Sequence, residues 1–129
     1  MNATTIMTLL NPQASHSHEE NKEVFMEDVR DPDGRIYRLE YTCNPDGSDA
    51  TAYLRYNPWG YNSYTYQQSH LDNSDGLICV GQLVRRSNCP YRLDHTVRRA
   101  RTWCTAYSFL REHGYICTCR IMPEWAGRP

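Results

Sequence analysis

Two near-identical turns constrain this chain more than anything else in it. "DPDG" occupies residues 31–34 and "NPDG" residues 44–47. In each, proline presets φ and glycine accepts the positive φ that closes a tight reversal. The run between them, "RIYRLEYTC", alternates Tyr37, Leu39, Tyr41 and Cys43 with Arg38, Glu40 and Thr42. A period of two predicts a strand with one buried face. "EVFMEDVR" before the first turn and "ATAYLRYN" after the second read the same way, with Ala52, Leu54 and Tyr56 opposite Tyr53 and Arg55. "SYTYQQ", residues 63–68, supplies a fourth strand, reached through "NPWGYN", where Pro58 and Gly60 interrupt pairing. Short turns make sequential strands neighbours, so the expectation is a four-stranded antiparallel meander.

The period then changes. From residue 90 to 113, Leu93, Val97, Ala100, Cys104, Tyr107 and Leu110 recur at steps of three and four. That spacing predicts a long amphipathic helix. Ser87 or Asn88 can cap it, Pro90 suits its start, Asp94 falls in its first turn and His113-Gly114 ends it. Its other face carries Arg92, Arg98, Arg99, Arg101 and Arg111, read as a solvated face or, alternatively, a basic partner-binding one. "YICTCRIM" after Gly114 reads as a short strand ended by Pro123. The fold class is α+β, a sheet with a helix across its inner face.

Residues 1–21 are rich in Ser, His, Asn and Glu and show no period, which predicts a flexible tail before a single domain at 22–129. His16 and His18 in "SHSHEE" can in principle hold a metal but read as solvated tail residues. With 129 residues, 40% of them hydrophobic, the chain suits one modest core. A formal charge of −1 argues against general nucleic-acid binding. No apolar run has the length of a bilayer span, so no membrane role is expected. "MNATTIMTLLNPQ" lacks a basic n-region, which argues against a signal peptide and for a cytoplasmic protein with reduced thiols.

The cysteines divide by context. Cys43 and Cys104 lie on inward faces and read as core packing. Cys117 and Cys119 share one face of the last strand and, joined by Cys104 or Cys43, would make a thiolate metal site, although "CTC" lacks the Cys-x-x-Cys spacing. Cys79 follows the polar loop "SHLDNSDG" and precedes Gly81, so it is either a reachable, reactive thiol or a packed residue of a short strand "LICVG". His70 upstream and His95 near the helix start are candidate bases. The sequence has no Gly-rich phosphate cradle and no nucleophile elbow.

A four-stranded meander, then a histidine, then Gly-x-Ile-Cys, then a helix resembles the ubiquitin-conjugating enzyme family. The family's stretch runs approximately His-Pro-Asn-Ile, three variable residues, Gly-x-Ile-Cys-Leu. Here it runs His70-Leu71-Asp72, then Asn73-Ser74-Asp75, then Gly76-Leu77-Ile78-Cys79-Val80, with Leu71 in place of the proline and Asp72 in place of the asparagine. The reduced N-terminus is similar to divergent bacterial members, which serve ubiquitin-like conjugation systems linked to phage defence. The resemblance implies that Cys79 accepts a ubiquitin-like protein as a thioester from an activating enzyme and passes it to a target protein, without a cofactor. It implies an oxyanion donor at the asparagine position; Asp72 stands there with a charge that opposes an oxyanion, and Asn73 or backbone N–H groups near Gly76 can substitute. It makes His70 an organiser of the loop and gives an acidic residue, Asp94 or Asp75, the task of orienting the incoming amine. Lys22 is the sole lysine; this reflects either codon usage or the avoidance of amines beside a reactive acyl group. Two other readings compete: a non-catalytic adaptor on the same scaffold, and a small zinc- or partner-binding protein with structural cysteines.

Overall fold

A computed structural model describes residues 1–81 and 91–115. The elements run α1 (Ala3–Leu10), β1 (Ser15–Glu19), β2 (Lys22–Arg30), β3 (Ile36–Cys43), β4 (Thr51–Tyr56), α2 (Tyr66–Ser69) and α3 (Leu93–His113). The strands form an antiparallel sheet in the order β1-β2-β3-β4, an α+β meander with a helix across one face. Tyr41 pairs with both Phe25 and Ala52. That register places Tyr37, Leu39, Tyr41 and Cys43, all fully buried, beneath α3. A bulge at Arg38/Leu39 shifts the β4 register.

The fourth strand differs from the sequence expectation. Residues 63–68 form no strand; they lead into the single turn α2, whose Thr65 hydroxyl and Gln68 side chain form a reciprocal capping box. The missing strand is β1, inside the stretch expected to be a flexible tail. "SHSHE" carries no apolar signal because all five residues are exposed; cross-strand pairing with β2 holds it at the sheet edge. The same stretch contains α1. Asn2 caps it by accepting from the Thr5 N–H at 2.9 Å. Its Ala3, Ile6 and Met7 are buried, and the Ala3 N–H donates to the Pro45 carbonyl in the second turn at 2.9 Å.

In α3 the predicted inward residues Leu93, Val97, Ala100, Cys104, Tyr107 and Leu110 are all buried, and Trp103 joins them. Each large side chain so buried contributes about 1.5–3 kcal/mol. The helix begins at Leu93, with Arg92 at the cap position making no capping side-chain bond but donating to the Asp46 carbonyl in the second turn at 2.8 Å, and closes at Gly114 in the left-handed region. The expected caps Ser87 and Asn88, with Pro90, lie outside the described residues, as do residues 116–122 of the predicted last strand. Besides Arg92, Arg101 and Arg111 of the face read as solvated have structural partners. Arg101 forks onto Glu27 of β2 through Nε and Nη2 at 2.9 and 2.7 Å. Arg111 donates to the Trp59 and Tyr61 carbonyls, both at 3.1 Å. Both side chains are long enough to curl from the helix flank back to the sheet or its following loop. Among the described residues no helix is long and apolar enough to cross a membrane.

Candidate functional site

The segment from His70 to Gly81 carries the predicted chemistry, and it is stitched to the sheet. His70 caps α2 in the left-handed region at φ 56°. The chain then reverses through residues 72–76, with bridges between Leu71 and Ile78 and between Tyr53 and Leu77. Backbone hydrogen bonds fix both legs: Leu54 N–H to the Gly76 carbonyl at 2.8 Å, Ile78 N–H to Ala52 at 2.9 Å and Asp72 N–H to Leu77 at 2.9 Å. The loop's polar side chains complete the reversal. Asp72 Oδ1 accepts from the Ser74 N–H at 2.9 Å and its hydroxyl at 2.6 Å. Asp75 Oδ1 accepts from the Leu77 N–H at 3.0 Å. Gly76 is required twice over, because its φ is +85° and an added Cβ would lie 2.6 Å from the Leu54 carbonyl oxygen.

This geometry places Cys79 against the loop's first residue. Its N–H donates to the His70 carbonyl at 3.0 Å. Its Sγ donates to the Gly81 carbonyl at 3.1 Å. The residue is only 7% exposed, less open than a polar, glycine-flanked loop suggests. Two aromatic groups from the α3 entry close over the neighbouring backbone. His95 Nε2 donates to the Val80 carbonyl at 3.3 Å, and the Tyr91 ring stacks on His95 with centroids 4.1 Å apart. Tyr91 also covers Gly81, where a Cβ would come within 2.8 Å of its hydroxyl. Sequence reasoning named His95 but missed Tyr91; the signal was an aromatic pair at helical spacing, 91 and 95, after a glycine-flanked cysteine.

The other named residues separate by contact. His70 is buried, and its backbone carbonyl anchors Cys79. The Asn73 amide is locked in a reciprocal pair with Asn62, donating to its carbonyl at 2.8 Å and accepting from its Nδ2 at 3.1 Å. Asp72 and Asp75 act as turn formers. A polar cleft of about 400 Å³ opens beside them, lined also by Arg55, Asn57 and Asn62. Asp94 makes its contacts elsewhere: it pairs loosely with Arg98 at 3.9 Å and lines a groove with Ile6, Leu9 and Leu10 of α1. The structure thus holds His70 and Cys79 in one segment, brings His95 of α3 onto the adjoining Val80 carbonyl, and sets Asp94 on the α1 side of the helix.

The remaining described cysteines belong to the core. Cys43 is fully buried, and burial, reinforced by the Glu23 carboxylate, pushes its thiol up to about 12. Burial raises the Cys104 thiol strongly as well. Cys89, Cys117 and Cys119 lie outside the described residues. Comparison with family models, curated proteins and solved structures returned no match.

Proposed function

We propose that the chain carries a ubiquitin-like protein as a thioester on Cys79. The observation that supports this most is the stitching of Cys79 to His70 through the 3.0 Å backbone bond, at the crossing from meander to helix. It sets a thiol at the end of a fixed loop, where an incoming chain end meets a defined surface. In the reaction, the Cys79 sulfur attacks the thioester carbonyl on the activating enzyme. The tetrahedral oxyanion collapses, the enzyme's sulfur leaves, and the proton released by Cys79 ends on it. A target amine then attacks the new thioester, loses a proton and expels the Cys79 sulfur. Both steps build an oxyanion that needs pre-aimed donors. The donors are the second amide hydrogen of Asn73, whose first goes to Asn62, or backbone N–H groups near Gly76; Asp72, a carboxylate accepting from Ser74, cannot donate. The thiol must first release the Gly81 carbonyl. His95 of α3, on the adjoining Val80 carbonyl, is a basic side chain beside the segment. With Asp94 on the α1 side of the helix, Asp75 in the loop is the acidic residue that would orient the amine.

The low exposure of Cys79 favours a second reading, a non-catalytic adaptor that binds a ubiquitin-like partner on the same scaffold. Incubation with the cognate activating enzyme, ubiquitin-like protein and ATP separates them. A reductant-sensitive adduct that disappears in Cys79→Ala supports the carrier. Saturable binding without an adduct supports the adaptor and refutes the carrier.

A further inference from the structure

β1 is a polar edge strand with an unusual concentration of ligand atoms. His16 and His18 sit two residues apart and so share a face. Their cross-strand partners are Phe25 and Glu23. His16 Nε2 and His18 Nδ1 both reach the same oxygen, Oε2 of Glu23, at 2.8 and 2.7 Å. The ligand atoms of the three residues all lie within 4.8 Å of one another.

We propose that His16, His18 and Glu23 form a binding site for a borderline divalent transition ion of the zinc class. Two imidazoles and one carboxylate suit such an ion and not calcium or magnesium, which prefer oxygen. A tetrahedral zinc with bonds of about 2.0–2.1 Å keeps its ligand atoms about 3.3 Å apart. The separations here bracket that value, so small ring rotations convert the present arrangement into a ligand set. The ion takes the place of the hydrogens that now bridge each ring to Oε2. Support around the ligands is already built. The Glu23 side chain is 11% exposed and held on the sheet, whereas those of His16 and His18 are 32% and 68% exposed, leaving a solvent side for water to complete the coordination. The Phe25 ring stacks on His16 at 4.6 Å and 14°, fixing its plane. The two imidazoles, 4.9 Å apart, already converge on one carboxylate oxygen. An ion bridging them would clip an edge strand whose residues are all exposed, coupling metal binding to the order of β1.

The test uses the full, reduced chain. Zinc is titrated against a chromophoric chelator, and cobalt(II) is added to a parallel sample. We expect about one equivalent of zinc bound at a site whose cobalt form shows d–d bands without thiolate charge transfer, with a zinc-dependent rise in Tm. In His16→Ala/His18→Ala, whose substitutions fall on exposed positions, that equivalent and the Tm shift are lost. Glu23→Gln, which keeps the side chain's size, weakens binding at least tenfold. Failure to bind zinc overturns the proposal. So does zinc content equal in the double variant and the parent, or a cobalt spectrum carried by thiolate bands that the histidine substitutions leave unchanged.

Discussion

Arg101→Met tests what holds the helix to the sheet. The Glu27 side chain is 1% exposed, and that of Arg101, its bidentate partner, is 31% exposed. Removing the guanidinium leaves the carboxylate with two neutral donors, the Tyr41 hydroxyl and the Asn11 amide. Stranding a buried charge costs about 3–5 kcal/mol. The two remaining donors and the partly open side once filled by Arg101 put the value at the lower end, about 3 kcal/mol. Methionine keeps most of the aliphatic stem, so little of that cost is lost packing. With a urea m-value of about 1.5 kcal/mol/M, the unfolding midpoint falls by about 2 M. A fall corresponding to less than about 1 kcal/mol at pH 7 would show that the pair adds little to the docking of α3.

The pH dependence gives an independent check. In the parent, burial pushes the Glu27 carboxyl up, but hydrogen bonds from Arg101, Tyr41 and Asn11 outweigh it and hold the group below its ordinary 4.5. Its contribution is therefore complete above 4.5 and is lost as pH falls through the lower native value. Without Arg101, burial dominates and the native value lies above 4.5. The variant is then penalised fully above that raised value and recovers as pH falls toward 4.5, where protonation neutralises the group. The stability gap between the two proteins must narrow from pH 7 to pH 4, as read from paired urea curves. A gap that stays constant or widens refutes the assignment, because other carboxylates titrate alike in both proteins and cancel.

Two further substitutions address the site and its support. Gly76→Ala forces a left-handed backbone and drives a Cβ into the Leu54 carbonyl, so we expect a loss of about 2–4 kcal/mol in urea unfolding, together with loss of any Cys79 adduct; parental stability would show that the reversal at 72–76 is not fixed as described. Ser108→Ala removes the hydroxyl that donates to Asp31 at 2.6 Å and meets the Tyr37 hydroxyl at 2.6 Å, leaving buried polar groups short of a partner at about 1–3 kcal/mol; a neutral substitution would mean that Trp59, already 3.0 Å from the Tyr37 hydroxyl, satisfies the network alone.

What the sequence disclosed depended on where each element finds its stability. β3 is central and buried on one face, so its alternation was plain in Tyr37, Leu39, Tyr41 and Cys43. The inward stripe of α3 was equally plain. β1 takes its stability from backbone pairing with β2, and α1 from docking three residues of one short face; neither leaves a periodic trace long enough to recognise. Arg101 was misread because periodicity assigns a direction to a Cβ, not a destination to a long side chain. The Cys79 loop is a different case. Its sequence left a reachable thiol and a packed strand residue both open, and its polar residues turn out to hold the loop: Asp72 and Asp75 satisfy local N–H donors, Asn73 locks to Asn62, and Gly76 permits the close pass over Leu54. A polar loop is mobile when its side chains turn to water and fixed when they turn back to its own backbone. Sequence composition is identical in the two cases. For Cys79 the difference decides the chemistry to be sought: the thiol sits on a built platform, and any acyl transfer there must be brought to it by a partner fitted to that platform and able to draw the sulfur from Gly81.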